Sequence, residues 1–276
     1  IGRVDRSGGS TAYGADRLRI NLMKAYAFVL AIFLLTSLSL PAEKPASKTA
    51  AAKPVKALLI TGGCCHNYEF QSKALTLSSA AEADIEWTVV NKGGKGTTAE
   101  IELYNDPNWA KGYDVVVHNE CFAGTKNMDY IKKIVDGHKG GTPAVVIHCA
   151  MHTYRGISSD DWRKFLGVTS KRHEHQARYQ VKTEKKDHPI MKGVPADWVT
   201  PKDELYVIEK TWPNTTVLAT SQSEKSKVSH PVIWVNEFSG TRVFGTTYGH
   251  SDATFSDPVF LSLLTRGILW SAGRLE

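Results

Sequence analysis

Histidine and cysteine side chains follow several of the predicted strands, and these residue types bind metals and transfer protons. The segment Cys64–Asn67 (CCHN) follows the first apolar strand, and His118–Cys121 (HNEC) follows the third. His148–His152 (HCAMH) follows the fourth strand, and a late glycine turn carries His250. Imidazoles titrate near neutral pH, so they act as acids, bases or metal ligands. Ligands of open parallel sheets bind beyond the carboxyl ends of the strands, so we expect one small-molecule site there.

A divalent metal such as zinc is one interpretation of these histidines. Three neutral imidazoles with one position left for water make a catalytic zinc site. The candidate ligands are His66, His118 and His148. The chain has no HExxH or CxxC motif, so such a site depends on the fold bringing separate loops together. The alternative is that the histidines hydrogen-bond sugar hydroxyls or loop backbone without a metal.

Acid–base chemistry on a sugar is a second interpretation. His148 and His250 are the candidate acid, base or ligand groups, and Glu120 and Asp203 are the candidate catalytic carboxylates. Asp203 is followed by Glu204, and only one of the two can face a pocket if this segment is extended. The candidate substrate-binding residues are polar or aromatic side chains near the strand ends: His66, Asn67, His118, Asn119, His152, Tyr154, Arg155, Glu204 and Tyr206.

Cys149 provides a third interpretation, a hydrolase whose thiol is activated by His250 or His152. A sharp nucleophile turn after a strand needs flanking glycines, which Cys149 lacks, and a buried apolar role suits it equally. Adjacent Cys64 and Cys65 are not expected to bridge each other without strain. Either of them can pair with Cys121 or Cys149, and the sequence does not decide between these pairings.

Short apolar strands alternate with helical patterns and must position these residues. This alternation is typical of parallel crossover units. After Trp162 the pattern becomes richer in strands, with a hairpin around Gly240 at one edge of the sheet and a closing helix that begins at Asp257. The predicted strands cover 57–61, 86–90, 113–117 and 144–147, and the helices between them cover 70–81 and 128–135.

The N-terminal part of the chain has the features of an export signal. Met23-Lys24 precedes an apolar stretch that is short for a membrane span, and small residues surround Pro41-Ala42. We therefore expect an exported protein, periplasmic or extracellular, without a membrane span in the mature chain; a single membrane anchor is the alternative. The predicted organisation is an upstream or vector-derived segment (1–22), a signal peptide (23–42), a flexible tether (43–54) and one domain (55–276).

The charge distribution argues against a nucleic-acid partner. The formal net charge is +6, from 34 Lys and Arg against 28 Asp and Glu. Up to Lys56 the chain carries nine Lys or Arg and three Asp or Glu, so this segment accounts for the whole excess. The domain itself is close to neutral and lacks the basic footprint of a nucleic-acid-binding protein. The oligomeric state is not indicated by the sequence.

Several blocks along the chain carry a family resemblance. They are His188-Pro189-Ile190, Asp203–Tyr206, Pro231–Trp234, Gly240–Phe244, Gly249-His250 and Gly267–Arg274. In this order, from about Val55 to Arg274, the chain resembles the ThuA-like (trehalose utilisation) family, which shares the class I glutamine amidotransferase-like fold. The resemblance implies a three-layer α/β/α, flavodoxin-like domain with a mostly parallel sheet.

The resemblance also implies a small-molecule saccharide as the partner. The expected function is an exported protein that acts on a saccharide or sugar derivative through a histidine-rich pocket, as a hydrolase or isomerase. A non-catalytic carbohydrate-binding module and the Cys149 hydrolase are the alternatives.

Overall fold

This computed structural model describes residues 53–276, in which strands and helices alternate as far as Leu166 and six strands then follow one another between Val168 and Thr246. The strands are β1 (Val55–Gly63), β2 (Ile85–Asn91), β3 (Val115–Cys121), β4 (Ala144–Ile147), β5 (Val168–Ala177), β6 (Lys182–Thr183), β7 (Asp203–Thr211), β8 (Thr215–Gln222), β9 (Ser229–Phe238) and β10 (Thr241–Thr246). The α-helices are α1 (Tyr68–Glu82), α2 (Met128–Lys139), α3 (Asp161–Leu166) and α4 (Pro258–Ser271).

Eight of these strands form one sheet in the order β2-β1-β3-β4-β10-β9-β8-β6. The first five in this order are parallel, and β9, β8 and β6 continue the sheet in antiparallel pairs. The predicted hairpin around Gly240 is present as β9 and β10, but its expected position at the sheet edge is wrong. The reason is that β10 returns beside β4 and pairs with it in parallel, so the hairpin lies inside the sheet.

The sheet separates two apolar layers, because successive side chains of a buried strand point to opposite faces. Leu59 of β1 belongs to a buried cluster with Leu75 of α1 and Leu264 of α4. Its neighbour Leu58 belongs to a second cluster with Ile134 of α2, and α3 lies on that same face. Each such side chain stabilises the fold by about 1.5–3 kcal/mol on burial. The predicted three-layer α/β/α architecture is confirmed.

A second, two-stranded sheet pairs β5 with β7 in antiparallel orientation. The sequence pattern placed Asp203 and Glu204 in an irregular stretch between strands, whereas they are the first residues of β7. Register shifts interrupt the β5–β7 pairing, so neither strand has a clean alternation that a local pattern can detect. This small sheet brings β7 beside the carboxyl edge of the parallel strands.

None of the helices within residues 53–276 is both long and apolar enough to cross a membrane. The predicted upstream segment (1–22), the signal peptide (23–42) and most of the tether (43–54) lie outside the described residues.

Candidate functional site

Three histidines from three separate connections meet at the carboxyl edge of the sheet. His66 lies between β1 and α1, His148 follows β4, and His250 follows β10. One ring nitrogen of each lies within 4.8 Å of the others. The His66 ring centroid is 4.8 Å from that of His148 and 5.0 Å from that of His250. We name these three residues the histidine cluster.

The backbone around the histidine cluster takes conformations that only certain residues tolerate. Gly62 and Gly63 end β1 with φ of 133° and 99°. A Cβ on Gly62 would lie 2.2 Å from Lys92 O, and one on Gly63 would lie 2.3 Å from Cys121 O, so only glycine fits. His148 has φ of 47°, a left-handed conformation that is uncommon for a residue with a side chain. Strain of this kind concentrates at functional sites.

Hydrogen bonds fix which nitrogens of His148 and His66 carry a proton. His148 Nδ1 lies 2.7 Å from Thr247 O and donates to it, so Nε2 has a free lone pair when the ring is neutral. The Tyr68 hydroxyl donates to Cys64 O and accepts from His66 Nδ1 at 3.0 Å. His66 Nε2 is therefore the unprotonated nitrogen, and it is buried without a hydrogen-bond partner. In both rings a hydrogen bond at Nδ1 fixes the orientation and leaves Nε2 unprotonated. Metal-binding imidazoles are usually oriented in this way.

Glu204 supplies a negative charge beside the histidine cluster. Its Oε1 lies 3.3 Å from His250 Nδ1, and its Oε2 lies 3.6 Å from His148 Nε2. The Glu204 carboxylate raises the pKa of His250. Burial alone would raise the pKa of Glu204, but the nearby His250 outweighs burial, and the pKa of Glu204 is lowered.

The other two imidazoles are held neutral. Burial, assisted by the nearby charge of His250, lowers the pKa of His66 to about 4. Burial lowers the pKa of His148 well below its ordinary value, and His66 lowers it further. At neutral pH the site therefore contains two neutral imidazoles and one imidazole paired with a carboxylate.

This donor set fits a divalent cation. His66 Nε2 is buried without a hydrogen-bond partner, His148 Nε2 accepts a long hydrogen bond from the Tyr206 hydroxyl at 3.3 Å, and His250 Nδ1 faces the Glu204 carboxylate at 3.3 Å. The opposite nitrogen of His250, Nε2, lies 2.7 Å from Gln176 Nε2, so a hydrogen bond from Gln176 orients this ring as well. Three imidazoles beside a carboxylate are typical zinc ligands. The histidine that joins His66 and His148 at this edge is His250, whereas His118, which the sequence grouped with them, lies within β3.

His118 and Glu120 lie on the other side of the sheet and are fully buried. His118 Nδ1 is 2.9 Å from Glu120 Oε1, and His118 Nε2 is 3.0 Å from His138 Nε2 on α2. The predicted third strand ended at Val117, but β3 continues to Cys121, so these residues are part of the strand and not of a loop. A ligand or catalytic role for either residue does not fit this placement.

Asp203 is buried beneath the loop that carries His250. Its carboxylate accepts hydrogen bonds from the backbone N–H groups of Gly249 and His250 and from the Thr254 hydroxyl. Burial raises its pKa to about 6, even though these hydrogen bonds oppose the shift. Adjacent residues in β7 point to opposite sides, as expected, but Glu204 is the one that faces the histidine cluster. The structure makes Asp203 a positioning residue for His250, where the sequence suggested a catalytic carboxylate.

Two further candidates, Asn67 and Asn119, make hydrogen bonds that orient the elements around the site. Asn67 caps α1 by accepting from Phe70 N, and its amide donates to Asp252. Asn119 donates to Gln71 Oε1, and Gln71 in turn donates to the Gly249 and His250 carbonyls. This Asn119–Gln71 pair ties β3 and α1 to the loop that carries His250.

The aromatic and basic candidates surround the site at different depths. The Tyr206 hydroxyl lies 3.3 Å from His148 Nε2, and its ring stacks on His152 with centroids 3.9 Å apart. Tyr154 is buried against Trp162, away from the histidine cluster. Arg155 is exposed and donates to a backbone carbonyl of β5. Only Tyr206 of this group contacts the cluster.

Two glutamines at the site, Gln71 and Gln176, were not identified from the sequence. Gln71 is buried in the first turn of α1, where a polar residue ordinarily faces solvent. Gln176 reaches His250 from β5, which local patterning did not resolve as a strand. His173 is half-exposed, with its Nδ1 3.6 Å from Glu204 Oε1.

The four cysteines form two disulfides next to the histidine cluster, Cys64–Cys65 and Cys121–Cys149. The expectation that Cys64 and Cys65 do not bridge each other is wrong. Cys65 has φ of 81°, outside the extended conformation that turns successive side chains to opposite sides. Because Cys149 is bonded to Cys121, its sulfur is not a free nucleophile, and the cysteine-hydrolase alternative does not fit this state.

A cavity of about 480 Å³ opens beside His66 at the ends of β1 and β2. This volume lies within the range of small-molecule sites. Its lining combines the glycine backbone of the β1 turn with polar side chains, among them Asn67, Asn91 and Lys95.

The three-layer α/β/α domain, with its candidate site at the carboxyl edge of a mostly parallel sheet, has a flavodoxin-type fold. The ThuA family, described as trehalose utilisation, matches residues 56–271. The chain belongs to this family.

Solved structures support the fold. A ThuA-like protein from Parabacteroides merdae is 21% identical with a TM-score of 0.64, covering 81% of this chain and 92% of that one. A ThuA-like protein from Bacteroides uniformis is 17% identical with a TM-score of 0.63, covering 83% and 95%. A cytoplasmic protein from Salmonella typhimurium is 12% identical with a TM-score of 0.50, covering 78% and 98%. A comparison with curated protein sequences finds no match.

Proposed function

We propose that this chain is an exported enzyme that acts on a saccharide or sugar derivative at a divalent-metal site held by the histidine cluster. The observation that carries the proposal is the convergence of His66, His148 and His250, with two buried nitrogens that lack any hydrogen-bond partner. A buried polar atom without a partner is costly, and a bound cation removes that cost at several atoms together.

Each residue has a distinct part in this proposal. His66, His148 and His250 hold the cation, which would polarise a sugar oxygen or a bound water. Glu204, ionised beside them, accepts the proton that a hydroxyl or water loses. Asp203 and the Asn119–Gln71 pair hold the His250 loop in place. The Tyr206 hydroxyl lies beside the site, 3.3 Å from the His148 nitrogen that would bind the cation.

A saccharide substrate is supported by the family description and by the cavity. The family is described as trehalose utilisation. The cavity beside His66 offers amide and ammonium groups of Asn67, Asn91 and Lys95, which can hydrogen-bond several hydroxyl groups. Export is supported by the signal-like segment between Met23 and Ala42.

Metal analysis of the purified protein tests the cation site. We expect one zinc or similar divalent ion per chain in the wild type, and loss of that ion in His66→Ala, His148→Ala and His250→Ala. His173→Ala is the matched control, because His173 lies near Glu204 outside the cluster and the variant should retain the ion. Loss of an outer hydrogen-bond partner costs roughly 10–100-fold in metal affinity, so loss of a ligand costs at least as much. A wild-type protein that neither contains nor takes up divalent ions would overturn the metal site.

Turnover is tested separately by incubating the metal-loaded protein with a panel of disaccharides and oxidised sugars and following them by NMR. Conversion that is lost in Glu204→Gln, with the metal still bound, supports the proposal. Binding without conversion, unaffected by chelator, would identify a carbohydrate-binding module instead and would overturn the enzymatic role.

A further inference from the structure

We infer that the four cysteines form a thiol–disulfide relay, in which a dithiol at the surface supplies two electrons and the protein ends with one thiol at exposed Cys65 and one at buried Cys149. This activity is independent of the proposed function, since neither a metal nor a saccharide takes part in it. The main observation in support of the relay is a contact between the two disulfides, in which Cys64 Sγ lies 3.8 Å from Cys121 Sγ.

The pairing of β1 with β3 in the sheet positions this contact. Gly63 of β1 is paired with Cys121 of β3 in the parallel register, and the next residue, Cys64, donates its backbone N–H to Cys121 O at 3.4 Å. The close approach of the two backbones requires Gly63, as its φ and missing Cβ show. The two disulfides are therefore held side by side by the framework of the domain.

The two disulfides differ in exposure. As residues, Cys65 is exposed and Cys64 half-buried, whereas Cys121 is 3% and Cys149 6% exposed. A reductant can therefore reach Cys65, while the Cys121–Cys149 bond is shielded by protein. Thiol–disulfide exchange depends on access to the attacked sulfur, so the shielded bond is reduced through its neighbour Cys64.

The relay proceeds in three exchange steps. A thiolate of the dithiol attacks Cys65 Sγ, which forms a mixed disulfide and leaves the electron pair of the Cys64–Cys65 bond on Cys64 as a thiolate. Cys64 Sγ then attacks Cys121 Sγ, which forms a Cys64–Cys121 bond and releases Cys149 as a thiolate. The second thiol of the reductant attacks its own sulfur in the mixed disulfide and releases Cys65.

The overall reaction balances. The dithiol becomes a cyclic disulfide and loses two electrons and two protons, while the protein exchanges two disulfides for one disulfide and two thiols, at Cys65 and Cys149. The Cys149 sulfur lies within 4.8 Å of a His66 ring nitrogen, so the relay delivers a thiol to the edge of the histidine cluster.

Two variants of the full chain, each with one cysteine replaced by serine, test the relay without any reductant. Cys65→Ser leaves Cys64 unpaired beside Cys121, whereas Cys64→Ser leaves Cys65 unpaired and one residue farther from it. Both lack the same bridge, so they are matched for stability. After acid quenching, denaturation and alkylation with N-ethylmaleimide, tandem mass spectrometry locates the free thiol.

We expect alkylated Cys149 in Cys65→Ser at a level at least about tenfold above that in Cys64→Ser, where the label stays on Cys65. In the wild type, one equivalent of dithiothreitol should give label on Cys65 and Cys149 with a Cys64–Cys121 disulfide. Label confined to Cys64 in Cys65→Ser, or an intact Cys121–Cys149 bond after dithiothreitol has opened Cys64–Cys65, would overturn the relay.

Discussion

Glu120 lies at one end of a buried chain of hydrogen bonds that runs through His118 to His138. His138 Nδ1 donates to Thr142 O, so His138 Nε2 accepts the proton of His118 Nε2. His118 Nδ1 lies 2.9 Å from Glu120 Oε1, so the carboxyl group has a hydrogen-bonding partner in the interior. A buried carboxyl that is paired in this way costs less than a lone one.

Substitution of Glu120 distinguishes this structural role from a catalytic one. Glu120→Ala should lower the free energy of unfolding by about 3–5 kcal/mol, because it leaves His118 without its partner in a dry interior. Glu120→Gln should stay within about 1 kcal/mol of the wild type, since an amide N–H can donate to His118 Nδ1. Urea denaturation gives both values. A Glu120→Gln protein of normal stability that binds metal but converts no substrate would restore Glu120 as a catalytic candidate.

The C-terminal turn of α2 is tied to β3 through His138, and this tie is sensitive to acid. Burial, assisted by the neighbouring His118, lowers the pKa of His138 to about 3 from an ordinary value of 6.5. Below pH 6.5 the unfolded chain takes up a proton at this position that the folded chain does not. Protonation therefore favours unfolding, and stability falls as the pH decreases from 6.5 towards 3.

Comparison of His138→Gln with the wild type isolates this contribution. From pH 7 to pH 5 the wild type should lose about 2 kcal/mol more of its unfolding free energy than the variant does, because the variant has no imidazole to protonate there. Urea denaturation at the two pH values measures the difference. An equal loss in both proteins would show that His138 is protonated as readily in the folded state as in the unfolded one.

The elements that sequence patterns predict well are those buried by apolar side chains. The predicted strand at 144–147 has the same bounds as β4, and the closing helix begins where Asp257 caps it. The end of β3 was missed because its buried residues His118 and Glu120 are polar and satisfy each other across 2.9 Å. A local pattern cannot distinguish such a pair from a polar loop.

The candidate site was predictable only in part, for a related reason. His66, His148 and His250 stand directly after strands whose carboxyl ends must share an edge, so topology alone brings them near one another. Which side of β7 faces that edge depends on the register of β5 against β7, which is shifted in three places. Glu204 therefore faces the histidine cluster while Asp203 lies beneath the His250 loop, a placement that the sequence could not give, and Gln176 has no local signature.

At the scale of the whole molecule, a cation bound by the histidine cluster should stabilise the entire domain. Ligand at about 100 times its dissociation constant adds about 2.7 kcal/mol to the unfolding free energy. For a domain of this size that corresponds to a rise in Tm of about 5–10 °C. Thermal unfolding with excess zinc and with chelator measures the shift, which should be retained in His173→Ala. An undiminished shift in His148→Ala would place the cation elsewhere.

The wide separation of His66, His148 and His250 along the chain has a kinetic consequence. No two of these histidines belong to one local segment, so the complete set of ligands exists only after β4 and β10 have paired within the sheet. A cation that needs all three ligands would therefore bind only after β4 and β10 have paired. The bound cation would therefore lower the rate of unfolding and leave the rate of folding unchanged.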